Sequence, residues 1–189
     1  SRHARPPAPP APRRRRAAAA PPPRPSAPLR RQELDLSGNK LMVLDGLEQF
    51  STLKVLRAAR NQITEVTIEK LPRLKYLDLS HNSLTGIPDL SGFKALSYLN
   101  LSHNRIGTRP DSETSRDGWE NFKNSSLQQL STFDLSHNEL SGSLPTQLGQ
   151  LSKVFALSLT HLPEVSGTLP TQLGYLADVL YMEIAQLAS

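Results

Sequence analysis

The sequence predicts an α/β-type repeat solenoid, an arc with a parallel β-sheet on its concave side and an irregular, short-helical convex side. Three observations carry that prediction. From residue 31 onward the chain is self-similar, and the segments ELDLSGNKL, VLRAARNQI, YLDLSHNSL, YLNLSHNRI and TFDLSHNEL align without gaps. Within each segment apolar residues alternate with polar ones, the period of a strand with one buried face. Aromatics make up only 5% of the 189 residues, so leucine has to carry most of the burial.

The asparagines of the five segments are Asn39, Asn61, Asn82, Asn104 and Asn138, spaced 22, 21, 22 and 34. In LKYLDLSHNSL, Leu77 and Leu79 point to the core, while Leu74 and Leu84 fill it from the flanking turns. Asn82 stands where the chain leaves the strand, and its amide can satisfy the backbone groups of the bend. Stacked copies of that asparagine predict a ladder. One repeat cannot bury its own leucines, but stacking neighbours makes the core continuous.

Each segment resembles the LxxLxLxxNxL signature of leucine-rich repeats, and the resemblance covers about 31–189 in six to seven repeats. The first half, with LDGLEQFSTLKVL and IPDLSGFKALSYL, is similar to the 22-residue type of protein phosphatase 1 regulatory subunits and dynein light chains. The second half, with LSGSLPTQLGQL and VSGTLPTQLGYL, resembles the plant type with its LSGxIP segment. In that type the Ser-Gly-x-Leu-Pro stretch makes a second short strand before the convex turn. The resemblance implies a leucine-rich-repeat arc that binds another protein.

Departures from the pattern predict local consequences. Arg31 replaces the first leucine of repeat one. Ala58 replaces a strand leucine in repeat two and predicts a thinner core there. Leu162-Pro163 stands where the sixth asparagine should be, so the ladder should break. Met182 and Ile184 read as core-facing strand residues of the last segment, which ends without a cap. An uncapped solenoid end exposes apolar core, so the native chain is expected to continue or to have that end covered. Between Asn104 and Asn138 lie about 12 residues more than a repeat needs, an insertion near 107–126 with Trp119 and Phe122 at helical spacing. A long loop on a rigid scaffold is a candidate site, but aromatics three apart more often pin a short helix to the body.

Residues 1–30 are a separate domain in composition. They hold ten prolines and eight alanines, and residues 1–31 hold nine arginines and no acidic residue. Of the 22 basic residues, 13 therefore remain in 32–189 against 17 acidic ones, a net of −4 under an overall +5. The basicity belongs to the tail. It is too poor in apolar side chains to offset its ordering entropy, which predicts a disordered segment of polyproline II character. PPAPRR, from Pro9 to Arg14, fits the PxxPxR pattern of SH3 ligands. The arginines could also meet nucleic acid or an acidic membrane surface, or belong to a transit peptide. A solvated linker is the simplest reading.

Cysteine is absent, which removes thiolate metal sites, disulfide caps and cysteine nucleophiles. It also favours a cytoplasmic setting, and no run of 18 apolar residues marks a membrane span. His81, His103, His137 and His161 recur in one register, where imidazoles can bind metal or sense pH. No thiolate or carboxylate column is expected to accompany them, so an ordinary structural role is predicted, with no metal and no cofactor. Ser80, Ser102 and Ser136 precede histidines, but adjacent strand residues point to opposite faces, so no nucleophile–base pair is expected. Phosphate-cradling glycine loops and GxSxG are missing too. The chain reads as a non-enzyme without a small-molecule substrate.

The concave face is the candidate site. Its outward columns follow from the register: Glu33, Val55, Tyr76, Tyr98, Thr132 in one, and Asp35, Arg57, Asp78, Asn100, Asp134 in the next. Tyr76 and Tyr98, with Asp78, Asn100, Arg57, Asp35, Lys75 and Asp134 around them, are the expected partner-binding residues. Tyrosines flanked by charge are typical hot spots. Two roles fit: an intracellular scaffold or regulatory module in signalling, or a fragment of a receptor-like ectodomain. The sequon Asn124-Ser125-Ser126 in the insertion and Asn100-Leu101-Ser102 in a strand favour the second.

Overall fold

The computed structural model describes residues 32–108, 119, 122, 127–176 and 181–184. The expected tail boundary and the helix around Trp119 lie outside these residues, as does the Asn124 sequon.

Seven three-residue strands stack in parallel into one sheet: β1 (Glu33–Asp35), β3 (Val55–Arg57), β5 (Tyr76–Asp78), β6 (Tyr98–Asn100), β7 (Thr132–Asp134), β9 (Ala156–Ser158) and β11 (Tyr181–Glu183). The pairing aligns Glu33, Val55, Tyr76, Tyr98, Thr132, Ala156 and Tyr181, and beside them Asp35, Arg57, Asp78, Asn100, Asp134, Ser158 and Glu183. The first five members of each column are those the register predicts.

Four shorter strands pair on the next side of the arc: β2 (Val43–Leu44) with β4 (Glu65–Val66), and β8 (Ser141–Gly142) with β10 (Glu164–Val165). The second pair is the extra strand expected of the LSGxxP segments. The first pair has no such signal, because the leading repeats carry no LSGxxP motif. On the convex side the TQLG segments form two 3-10 turns, Thr146–Gln150 and Thr171–Tyr175, each entered from a proline.

Inside, the middle strand residues Leu56, Leu77, Leu99, Phe133 and Leu157 are buried in one column, and Ala58, Leu79, Leu101, Leu135 and Leu159 in the next. Ala58 is fully buried, so the smaller side chain is packed rather than bared. Trp119 and Phe122 join this core: their rings meet edge to face, and Phe122 stacks on Phe133 at 5.7 Å. The insertion thus donates core residues and cannot be removed whole. At the other end of the described sheet Met182 sits in β11 opposite Leu157 but stays 37% exposed, with no described strand beyond β11 to cover it, and Ile184 packs against the core.

The repeats approach so closely that several turns require glycine, Gly92, Gly107 and Gly149 among them. A Cβ on Gly92 would lie 1.8 Å from the Glu69 carbonyl oxygen of the preceding repeat. Backbone cannot step aside as a side-chain tip can, so Gly92→Ala should destabilise the fold by about 1–3 kcal/mol in chemical denaturation. Gly174 has nothing within 4 Å of its Cβ position, and Gly174→Ala should be tolerated.

Candidate functional site

The asparagine ladder sets the strand exits and so the aim of the concave side chains. Asn82 Nδ2 reaches the carbonyls of Ala58, Leu79 and Ser80, and its Oδ1 accepts from Ile63 N–H at 3.0 Å. Asn61, Asn104 and Asn138 repeat this, each tying its own bend to the previous repeat. Asn39 has no repeat before it among the described residues. It is exposed and bonds only within its own bend. The ladder ends at Asn138, and Leu162 is buried in its place.

One position before each asparagine, and before the Leu162 that replaces one, the backbone takes a positive φ: 70° at Gly38, 55° at Arg60, and 53–55° at His81, His103, His137 and His161. This corrects the strand-alternation reading of the Ser-His pairs, since the histidines lie in the bend beyond the strand. Histidine is enriched at such left-handed positions. Gly38, in the same register, is the sequence signal for it. The four imidazoles form one exposed stack, with centroids 4.2, 4.1 and 4.0 Å apart and ring planes within 13° of parallel. Near-parallel rings set their nitrogens side by side rather than converging them on one point. Partial burial and then the neighbouring imidazoles hold His103 and His137 below the ordinary histidine range, against the pull of Asp134. A depressed pKa means that the unfolded chain binds more protons in the window below about pH 6.5. Stability should therefore be full above that value and decline as pH falls toward the folded pKa values. The slope should flatten in His103→Gln, as read from denaturation midpoints at about pH 7.5 and about pH 5.5.

On the concave face Tyr76 and Tyr98 lie in contact, with stacked rings 4.1 Å apart and 6° from parallel. The Arg57 guanidinium sits 5.3 Å from the Tyr76 ring centre and 3.6 Å from Glu33. Neither tyrosine is fully solvent-facing, as strand alternation alone would have it. Each is half-buried by the other. Burial first, then the Tyr98 hydroxyl, pushes the Tyr76 hydroxyl up to about 12, so it stays a neutral donor. Lys75 is exposed in the column before the tyrosines.

The acidic column has a second role that the register does not reveal. Asp78 Oδ1 accepts from Ser80 N–H at 3.0 Å and from its hydroxyl at 2.7 Å, and Asn100 holds Ser102 in the same way. Asp35 and Asp134 each accept from the backbone N–H two residues on. These are Asx turns that close each strand. One carboxylate oxygen of each aspartate is used structurally, and the other takes no part in the turn. Among the described residues the one ion pair is Arg57–Glu33, so Asp35, Asp78 and Asp134 have no cationic partner there.

Comparisons with known proteins agree with this geometry. Two family models, both described as leucine rich repeat, match residues 52–106 and 129–151. A probable inactive serine/threonine-protein kinase of Dictyostelium discoideum is 35% identical over 113 residues, which is 60% of this chain and 5% of that protein. A leucine-rich-repeat protein of Leptospira interrogans superimposes with a TM-score of 0.61 at 28% identity, covering 77% of this chain and 35% of its own. The Arabidopsis receptor kinase HAESA, solved with a peptide hormone and a co-receptor, superimposes at 0.60 with 27% identity, covering 78% and 25%. The chain thus spans only a small part of each of these relatives.

Proposed function

We propose, on the premise that this chain is a leucine-rich-repeat protein, that it is a non-catalytic protein-binding scaffold or regulatory module acting through its concave face. The observation that carries this reading is the Tyr76–Tyr98 stack, with Arg57 over it and, beside it, carboxylates that have no cationic partner among the described residues. Rigid aromatic area next to charge anchors a protein surface at low entropic cost. Lys75, Asp35, Asn100 and Asp134 complete the contact surface. A cytoplasmic, signalling role goes with this reading.

The second reading is a fragment of a receptor-like ectodomain with an extracellular ligand. It is favoured by the LSGxxP repeats, with their paired β8 and β10, and by the likeness to a plant receptor kinase. Association of the arginine-rich tail with nucleic acid or acidic membrane is a weaker third.

Affinity capture with the whole chain, followed by identification of what is bound, tests the proposal. Wild type should be compared with a Tyr76→Ala/Tyr98→Ala variant and with a deletion of 109–116 that spares Trp119 and Phe122. Loss of the bound protein in the tyrosine variant alone supports the concave face. Loss in the deletion alone moves the site to the insertion.

A further inference from the structure

The acidic residues of the concave column fall on every second strand. In sheet order β1, β3, β5, β6, β7, β9, β11, the column reads Asp35, Arg57, Asp78, Asn100, Asp134, Ser158, Glu183. With strands about 4.8 Å apart, successive carboxylates recur about every 9.6 Å. A polyproline II helix has three residues per turn and rises about 3.1 Å per residue, so one of its faces recurs about every 9.3 Å. Cations three residues apart on such a helix match carboxylates two strands apart.

The chain itself carries that pattern. Residues 1–31 contain nine arginines, ten prolines and no acidic residue, with Arg2 and Arg5 three apart and Arg13 and Arg16 three apart. We propose that this segment docks back across the acidic column of its own concave face, with Arg13 and Arg16 on carboxylates two strands apart. The inference rests on the concave face being the binding face, and it names the chemistry of an occupant: an arginine- and proline-rich polyproline II segment.

Four further facts favour it. A guanidinium can set its N–H groups on a single free carboxylate oxygen and also stacks on aromatic faces, and the Tyr76–Tyr98 stack flanks the acids. Oδ1 is held by the Asx turns of Asp35, Asp78 and Asp134, which leaves Oδ2 to receive a cation without disturbing the bend. The segment also joins the body just before β1, at one end of the sheet. The sixteen residue steps from Arg16 to Gln32 extend to about 55 Å at most, while six strand intervals span about 29 Å. Such a tether gives effective concentrations of about a millimolar, so each contact can be weak. Lys54 and Lys75 lie on the far side of the tyrosines, in the column before them, and direct the cationic segment to the acidic side. Docked there, the segment competes with an external partner and restrains the module.

The absence of cysteine allows a clean test, since Ala18→Cys in the whole chain carries a nitroxide at one place. The expected result is selective loss of amide signal intensity at Arg57, Asp78, Asn100 and Asp134, with the convex 3-10 turn at Thr146–Gln150 spared. The signals should return in about 1 M salt, where the Debye length is about 3 Å. They should also return when Arg13 to Arg16 are all replaced by glutamine, which leaves the body untouched. Asp35→Asn/Asp78→Asn/Asp134→Asn should restore them as well, and Asn100 shows that asparagine makes the same Asx turn. Uniform or absent broadening overturns the proposal, as does broadening that appears only between labelled and unlabelled copies. If broadening is absent while the tyrosine variant still loses its captured partner, the docked segment fails and the concave binding face stands.

Discussion

Asn82→Ala should lower the free energy of unfolding by about 3 kcal/mol, the top of the range for an unmet buried polar group. The side chain is 9% exposed, and it satisfies carbonyls of Ala58 and Leu79 and the N–H of Ile63. Those groups belong to two adjacent repeats, so the change unties a junction as well as a bend. Asn39→Ala is the matched control. It is exposed at the ladder's first rung and bonds only within its own turn, so its loss should cost less than about 1 kcal/mol. Chemical denaturation of the two variants measures the difference, and equal effects would mean that the ladder contributes nothing between repeats.

Replacing Tyr76 and Tyr98 together by alanine should weaken binding to a concave-face partner by at least about 2 kcal/mol, roughly 30-fold. The rings are half-buried against each other, so the double variant should also lose up to about 1 kcal/mol of stability. That cost is too small to unfold the solenoid, so binding and folding can be read separately. Asp78→Asn is the companion experiment. It keeps the Asx turn, as Asn100 does, and removes only charge. Its effect should fall mainly on the association rate and on the salt dependence of that rate.

Residues that repeat are legible in the sequence, and those whose state depends on a neighbouring repeat are less so. Register follows from alternation and asparagine spacing, which is why the sequence alone sets Tyr76 and Tyr98 side by side. Their mutual burial is not legible there, because it comes from a ring one repeat away, more than twenty residues along the chain. The same holds for the histidines. The strands end three residues before them, and the serine just before His81, His103 and His137 is already buried, so alternation does not reach the bend where φ is positive and the rings stack. The aspartates read as surface charge because an Asx turn involves only the residue two further on and leaves no trace in the hydrophobic pattern. Trp119 and Phe122 are readable as packed from their spacing alone, and the structure adds that Phe122 stacks on Phe133 while Trp119 meets Phe122 edge to face. The β2–β4 pair is silent in the sequence because neither strand carries the LSGxxP signal that marks β8 and β10.

The central claim, that the concave face is where this module meets another protein, is tested most directly by hydroxyl-radical footprinting of the chain with and without its captured partner. Tyr76, Tyr98 and the exposed Phe155 should become protected together, while exposed Met42 and Leu169, outside the concave columns, should oxidise at unchanged rates. Protection confined to residues 108–126, with Tyr76 and Tyr98 as reactive as in the free chain, would contradict it.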